Sequence, residues 1–270
     1  MAVRSALMNV MQGAARKAAR GLIRDFGEVE NLQVSRKGPA DFVSAADLRA
    51  EKILREELTR VRPKFGFELE EGGRVEAPDG EHYWLVDPLD GTTNFLHGLP
   101  HFAISIGLKK GDELIAAVVH DPIKDEMFWA EKGAGAWLNE RRLRVSARTK
   151  LPDSLFATGI PFHGVGNHDR VAVEIRQVMD QVSGIRRFGA AALDLAYVAA
   201  GRFEGFWEHG LKPWDLAAGI LLVREAGGKV TDFAGTENML GTGDVIATNG
   251  VLHDDLKALL DKAQNRVARG

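Results

Sequence analysis

None of the 270 residues is cysteine, which excludes disulfides, thiolate nucleophiles, zinc fingers and iron–sulfur clusters. Any metal must sit on oxygen ligands or histidine. Long apolar runs are also missing: the longest, residues 114–119 and 216–223, fall far short of the ~18 residues a membrane-spanning helix needs. Proline is scarce at 9, and the 30 glycines follow no three-residue period, so collagen-like and low-complexity classes are excluded. Neither sign of charge is in excess. With 35 basic against 38 acidic residues and a net charge of −3, nothing pulls the chain in bulk toward nucleic acid or an anionic membrane. What remains, 45% hydrophobic and 27% charged, is a globular composition, long enough for one large domain or two coupled halves with a substantial core.

The first residues are basic but lack the continuous apolar stretch of a secretory signal. Val3, Leu7, Val10 and Met11 follow helical spacing, which predicts a helix over 4–26 in preference to a Ser-poor transit peptide and makes a cytoplasmic location the expectation. A short strand is expected at 32–36. Ser44 and Asp47 form a capping-box pattern opening a second helix with Leu48, Ile53, Leu54 and Leu58 on its apolar face, ended by Pro63. Tyr83, Trp84, Leu85 and Val86 read as a buried strand ending at Asp87. Strands follow at 102–108, 114–120 and 126–130, the first two joined by a hairpin turn at 110–112. Turns are expected at 133–135 and 139–140. The polar stretch 146–153 divides an α+β half (1–148) from an α/β half (149–270). In the second half strands at 155–158, 185–188, 203–207, 229–232 and 245–248 are set among helices at 169–182, 191–200, 214–225 and 254–268. Such alternation predicts an α/β fold of layered helices and sheets.

The segment DPLDGTTN at 87–94 carries the most chemistry. Asp87 and Asp90 leave a strand end together, Gly91 lets backbone approach a ligand, and the amides of residues 91–93 form a candidate anion cradle. Acid groups repel an anion, and the turn holds no lysine. A hard divalent cation such as Mg²⁺ resolves the conflict, since it takes carboxylate and phosphate oxygens at once. The plainer alternative is an ordinary turn, for Asp, Pro and Gly are all turn residues. Glu70 and Glu71 precede a glycine pair; taken alone they read as a solvated loop. Asp215, at the start of an apolar helix, has an alternative as a carboxylate facing the helix dipole. Asp47 has one as the reciprocal half of the Ser44 box.

DPLDGTTNF at 87–95, WD at 214–215 and EAGG at 225–228 together resemble the inositol monophosphatase family of Mg²⁺-dependent, Li⁺-sensitive sugar phosphatases. The resemblance runs from DFVSAAD at 41–47 to the closing helix. It implies a layered αβαβα sandwich of the type shared with fructose-1,6-bisphosphatase. Two or three Mg²⁺ ions are implied, held by Glu70, Asp87, the Leu89 carbonyl, Asp90 and Asp215. Glu71, Thr92 and Asp47 are implied to handle the attacking water. Phosphate and substrate contacts are implied at Asp90, Gly91, Thr92, Ala191, Glu208 and Asp215. A homodimer is implied too. Two places depart from the family's pattern. Phe67, Glu68 and Leu69 precede Glu70 where a short apolar strand ending in Gly or Thr is usual. Gly189, Ala190 and Ala191 replace a Gly-Ser or Gly-Thr pair, which removes a hydroxyl near the sugar.

Charge arithmetic agrees with metal dependence. Four carboxylates bring about −4 and a phosphate monoester about −2 near neutral pH, a sum only divalent cations make tolerable. Asp47 beside Thr92 offers a proton relay for the attacking water. The expected reaction is hydrolysis of inositol monophosphate or a similar polyol phosphate. Alternative substrates are fructose 1,6-bisphosphate, histidinol phosphate or a 3′-phosphoadenosine nucleotide. A second anion site at Arg186 and Arg187 competes with their reading as a solvated strand end. A different class, an RNA- or transcription-associated binder, is weighed on the basic residues Arg141, Arg142 and Arg144. It is set back by the net charge and the lack of interleaved aromatics there. His97, His101, His120, His163, His168 and His253 show no metal-ligand spacing. The five tryptophans read as core or interface residues, with Trp214 a buttress for Asp215.

Overall fold

The computed structural model describes residues 4–28, 34–38, 41–162, 164 and 166–267. Helix α1 (Ala6–Phe26) begins at Ser5, whose side chain accepts from the Met8 amide. A two-stranded antiparallel ribbon follows, β1 (Val34–Gly38) and β2 (Asp41–Ser44). Ser44 then caps α2 (Ala45–Val61) in a complete box with Asp47. The sequence places a strand at 32–36. The described part runs over 34–38, with residues 32 and 33 outside the described residues.

Strands β3 (Gly66–Leu69), β4 (Gly73–Val75), β5 (His82–Asp90), β6 (Ala103–Lys110), β7 (Glu113–Asp121), β8 (Glu126–Glu131), β9 (Gly135–Leu138) and β10 (Arg141–Arg142) form one sheet. Its order is β10-β9-β8-β7-β6-β5-β3-β4. A five-residue helix, α3 (Thr92–Leu96), is set between β5 and β6. The second sheet, ordered β12-β11-β13-β15-β14, is built from β11 (Leu155–Thr158), β12 (Gly184–Arg186), β13 (Gly205–Glu208), β14 (Lys229–Thr231) and β15 (Val245–Thr248). Its helices are α4 (His168–Met179), α5 (Ala191–Ala199), α6 (Pro213–Glu225), the short α7 (Met239–Thr242) and α8 (His253–Val267).

Five layers result, an α/β sandwich in which α5 and α6 lie between the two sheets. Strand alternation shows why. On the large sheet Leu85, Ala117, Val119 and Phe128 turn to the central cluster with α5 and α6. Their neighbours Trp84, Val86, Val118 and Trp129 turn to α1 and α2. On the small sheet Phe206 and Ala247 join the central cluster, while Trp207 and Ile246 face the outer cluster completed by Val178 of α4 and Leu256 of α8. Helices pressed between two sheets must be apolar all round, and residues 191–199 and 216–223 are buried without a break.

Strand and helix ends differ from the sequence reading by a few residues, and β4, β10, α3 and α7 carry too few apolar residues to announce themselves. The strand read at 185–188 stops at Arg186, because Gly189 takes φ 78° to turn the chain into α5. Trp84 and Trp207 are wholly buried and Trp129 stacks on Trp137, with ring centroids 5.6 Å apart.

Candidate active site

Two features of β5 bring acid groups to one place. Its pairing with β6 shifts register between Asp87 and Asp90, a bulge at Pro88 and Leu89 that breaks the alternation sending residues i and i+3 to opposite faces. Its parallel pairing with β3 sets Leu69 beside Val86, so Glu70 follows beside Asp87, and the two carboxyl groups hydrogen-bond. The Asp87 Oδ1 accepts from the Leu89 amide at 2.9 Å.

Asp90 crosses to the second half. Its Oδ2 accepts from the Ala192 amide at 2.7 Å, at the N-terminal end of α5 that also presents the amides of Ala191 and Leu193. Asp215, in the first turn of α6, accepts from the Lys212 amide at 2.8 Å. Asp215 thus caps its own helix and also lies in electrostatic contact with Asp90 and Glu70. Ser105, opposite Asp87 on β6, donates to the Trp214 carbonyl at 3.1 Å and ties that turn to the strand.

Mutual repulsion marks the cluster. Burial first, then Glu70, Asp90 and Asp215, push the Asp87 carboxyl well above its ordinary value. Burial lifts Asp90 to about 7, with the α5 amides opposing and Glu70 adding to the rise. Asp215 is raised by burial and by Asp90.

Asp47 is completely buried. Its Oδ2 takes the Ser44 amide at 2.9 Å and the Ser44 hydroxyl, while its Oδ1 lies 3.2 Å from the Thr92 hydroxyl. That hydroxyl is also 3.0 Å from the Leu89 carbonyl, so its single proton serves one acceptor at a time. Gly91 holds φ 93° at the start of α3, with no side chain capping the helix. A Cβ there would meet the His101 carbonyl at 3.0 Å, so this turn needs glycine.

Glu208 ends β13, and burial followed by Asp90 raises its carboxyl to about 8. Thus Glu70, Asp87, Asp90, Asp215 and Glu208 face one seam between the sheets, with Leu89, Gly91, Thr92 and Asp47 on one flank and Ala191 on the other. Glu71 is anchored differently: its amide donates to Glu51 at 2.8 Å. Arg141, Arg142 and Arg144 are exposed, away from this seam, and Arg186 is exposed at its strand end. Arg187 acts electrostatically on Glu208. His101 packs on Phe188 at 4.8 Å, and burial holds its imidazole down to about 4. His168 bonds the Pro161 carbonyl, and His163 lies outside the described residues. Trp214 meets the site through its carbonyl.

Several supporting residues escaped the sequence reading. Glu51 lies one helical turn after Asp47, a spacing that puts both on one face. Asn94 sits within the motif itself and donates to the carbonyls of His101 and Phe188, each at 2.8 Å, pinning the motif to the second half. Ser105 and Gly159 carry no sequence signal. Asp194 is a buried carboxyl near Glu208 and Asp90, its Oδ1 without a partner among the described residues.

The donor set is acidic and oxygen-only, which suits a hard divalent cation. Among the described residues no three His, Asp or Glu side chains stand, as placed, where they could hold one metal ion together. Asp87, Asp90 and Asp215 each accept a backbone amide on one oxygen, which fixes the orientation of the carboxyl groups. The residues fit the group on charge and on donor chemistry.

A five-layered α/β sandwich with a seam of buried carboxylates defines a hydrolytic enzyme of the phosphatase class. The family model described as the inositol monophosphatase family matches residues 4–267, and the chain belongs to that family. An inositol-1-monophosphatase of Rhizobium meliloti is 56% identical over 259 residues, covering 96% of this chain and 97% of the relative. A protein named Nus factor SuhB from Pseudomonas aeruginosa is 46% identical over 247 residues, 90% of this chain and 91% of its own. The crystal structure of extragenic suppressor protein suhB from Bartonella henselae superposes with a TM-score of 0.93 at 56% identity, covering 96% of this chain and 99% of that one.

Proposed function

We propose that the protein is a Mg²⁺-dependent phosphomonoesterase that hydrolyses inositol monophosphate or a similar polyol phosphate to the free alcohol and phosphate. The observation that carries this is the seam itself: Asp90 spans from a strand end of one half to the α5 amides of the other, with Glu70, Asp87 and Asp215 in electrostatic contact. On this reading residues 1–148 and 149–270 make one catalytic unit. The relative named inositol-1-monophosphatase supports the substrate class.

Glu70, Asp87, the Leu89 carbonyl, Asp90 and Asp215 are the residues that would hold two or three Mg²⁺ ions. Bound there, the metal supplies Lewis acidity to the phosphoryl oxygens and lowers the pKa of water. Thr92 orients the attacking water, and Asp47 receives its proton through the Thr92 hydroxyl. Glu71, on the loop anchored by Glu51, helps orient the same water. The amides of Gly91 and Thr92 bind phosphate oxygens. Glu208, Asp90 and Asp215 accept hydrogen bonds from the substrate hydroxyls, and Ala191 contacts the substrate beside them. No covalent intermediate is needed.

Li⁺ inhibition, a cytoplasmic location and a homodimer belong to the same proposal. Leu99, Phe162 and Phe188 are exposed apolar side chains that a second copy could cover, and light scattering of the eluting peak should show twice the chain mass. Relatives named Nus factor SuhB and the exposed Arg141, Arg142 and Arg144 favour a transcription-associated role as a second reading; a salt-dependent gel shift with structured RNA tests it.

Phosphate release decides the first reading. The panel is inositol 1-phosphate, fructose 1,6-bisphosphate, histidinol phosphate and 3′-phosphoadenosine 5′-phosphate, with Mg²⁺, with EDTA and with added Li⁺. The expected result is Mg²⁺-dependent, Li⁺-inhibited release, fastest from inositol 1-phosphate. A faster alternative would move the substrate, and no metal-dependent release from any would overturn the reading.

A further inference from the structure

We propose that His209 is a positioning residue that clamps the end of β13 and thereby holds the Glu208 carboxylate at the substrate hydroxyls. This rests on the reading of Glu208 given above.

His209 stands one residue beyond the end of β13. Alternation sends it the opposite way from Glu208: Phe206 and Glu208 face the central helices and the seam, while Trp207 and His209 face the outer layer. Three elements hold the ring there. Nε2 lies 3.0 Å and 3.1 Å from the two oxygens of Glu174 on α4. Nδ1 lies 3.2 Å from Asp244 Oδ1. The pairing of β13 with β15 explains the second contact, since Glu208 stands opposite Val245 and the next pair along is His209 with Asp244. The ring lies on Phe233, with centroids 3.8 Å apart. Asp244 also accepts from the Gly210 amide at 3.2 Å, so two consecutive residues after Glu208 are fixed.

Both ring nitrogens face carboxylate oxygens. A neutral imidazole has one N–H and would turn a lone pair toward the other carboxylate; only the imidazolium donates to both. The surrounding charges agree. From α4 come Arg170 and the fully buried Glu174, which Arg170 Nε also contacts at 3.0 Å. From the segment before β15 comes Asp244, and on the ring's own strand Glu208. Burial works against the charged ring, yet the bonds to Asp244 and Glu174 outweigh it and Arg170, and the ring stays protonated above its ordinary value. Among the described residues His209 hydrogen-bonds no seam residue, so its effect reaches the substrate through Glu208, by the backbone position it fixes and by its charge, which lowers the Glu208 carboxyl pKa.

Two substrates separate this from a general structural role. Inositol 1-phosphate offers hydroxyls to Glu208, whereas p-nitrophenyl phosphate offers none. For His209→Ala the KM for inositol 1-phosphate should rise about tenfold with kcat little changed, and kcat/KM for p-nitrophenyl phosphate should stay within about twofold. Asp244→Asn, which keeps its shape but weakens the hold on the ring, should give a smaller rise in the same direction. In the wild type the KM for inositol 1-phosphate should climb as pH passes the pKa of His209, and this climb should be absent in His209→Ala. Retained cleavage of p-nitrophenyl phosphate reports an intact fold. If both substrates suffer alike, or if Asp244→Asn and pH leave the KM for inositol 1-phosphate unmoved, the positioning role is overturned. Glu208→Gln measured alongside tells the two failures apart. A KM raised by Glu208→Gln but not by His209→Ala overturns the clamp alone. A KM unmoved by Glu208→Gln overturns the assignment of Glu208, and the clamp falls with it.

Discussion

Replacing Gly159 with alanine adds one methyl group at the place where Glu208 must lie. The added Cβ would stand 1.8 Å from the Glu208 carboxyl carbon and from Oε1, and 2.1 Å from Oε2. Parallel pairing of β11 with β13 sets Thr158 beside Trp207, so Gly159 and Glu208 are the next neighbours and the conflict is direct. The backbone of Gly159 is not in the left-handed region, so alanine brings no conformational strain. The carboxylate, at the far end of a side chain, is the part that yields. Restoring an ordinary contact requires a shift of roughly 1.5–2 Å, more than a hydrogen bond tolerates. With Mg²⁺ offsetting the Asp90 charge that helps raise Glu208, and at a pH above about 8 where its carboxylate is ionised, a hydrogen bond to this charged group contributes about 1.5–3 kcal/mol. Losing one to a substrate hydroxyl should therefore raise the KM for inositol 1-phosphate by about 10- to 150-fold. Because the side chain moves and the core does not, the melting temperature should fall by no more than about 4 °C. Steady-state kinetics on inositol 1-phosphate and p-nitrophenyl phosphate, with a thermal melt, test all three points. An unchanged KM for inositol 1-phosphate, or an equal rise for both substrates, would refute the placing of Glu208 over Gly159 as a hydroxyl contact.

Further outcomes follow from the same geometry. Without metal, Asp90 has a folded pKa of about 7 against an ordinary 3.8. Its contribution to stability is therefore full below about 4 and lost as pH rises toward 7; the stabilisation by Mg²⁺, read as the melting difference between Mg²⁺ and EDTA, should grow over that interval. Ser44→Ala removes the cap of α2 and one partner of Asp47, and chemical denaturation should show a loss of about 0.5–2 kcal/mol together with a lower kcat. Asn94→Ala leaves the carbonyls of His101 and Phe188 without their shared donor and should cost about 1–3 kcal/mol in the same assay. His253, buried between the hydroxyls of Thr231 and Thr248, is held down to about 4 by burial. Its folded pKa lies below its ordinary 6.5, so its contribution is full above about 6.5 and lost as pH falls toward 4. A His253→Gln variant should flatten that part of the acid-denaturation curve.

The layered fold was legible where pattern and period agree. The apolar runs at 114–119 and 216–223 became a central strand and a sandwiched helix, and the capping box at Ser44 and Asp47 formed as written. The sequence pattern ends the strand at Asp87, too soon, because Pro88 hides a bulge that carries β5 on to Asp90. β4 and β10 are edge strands of three and two residues, too short to show a period. In the site, residues within one motif were legible, since local chemistry names them. What joins the motifs was not. The parallel register that puts Glu70 beside Asp87, the Ser105 bond to the Trp214 carbonyl and the space over Gly159 are contacts between distant segments, set by strand pairing. His209, a lone histidine beside a glutamate, carries no spacing signal; its meaning comes from Glu174 and Asp244, each brought by a different element.

The central claim is that the seam of Glu70, Asp87, Asp90 and Asp215 is a Mg²⁺-dependent phosphatase site. Its most direct test is phosphate release from inositol 1-phosphate by the wild type and Asp90→Asn over a range of Mg²⁺ concentrations, with calorimetric Mg²⁺ titration of both. The expected result is saturable, Mg²⁺-dependent turnover in the wild type, abolished by EDTA, with Asp90→Asn slower by at least about 100-fold and weakened in Mg²⁺ binding. Turnover that persists in EDTA, or a variant as active and as tightly Mg²⁺-bound as the wild type, would contradict the claim.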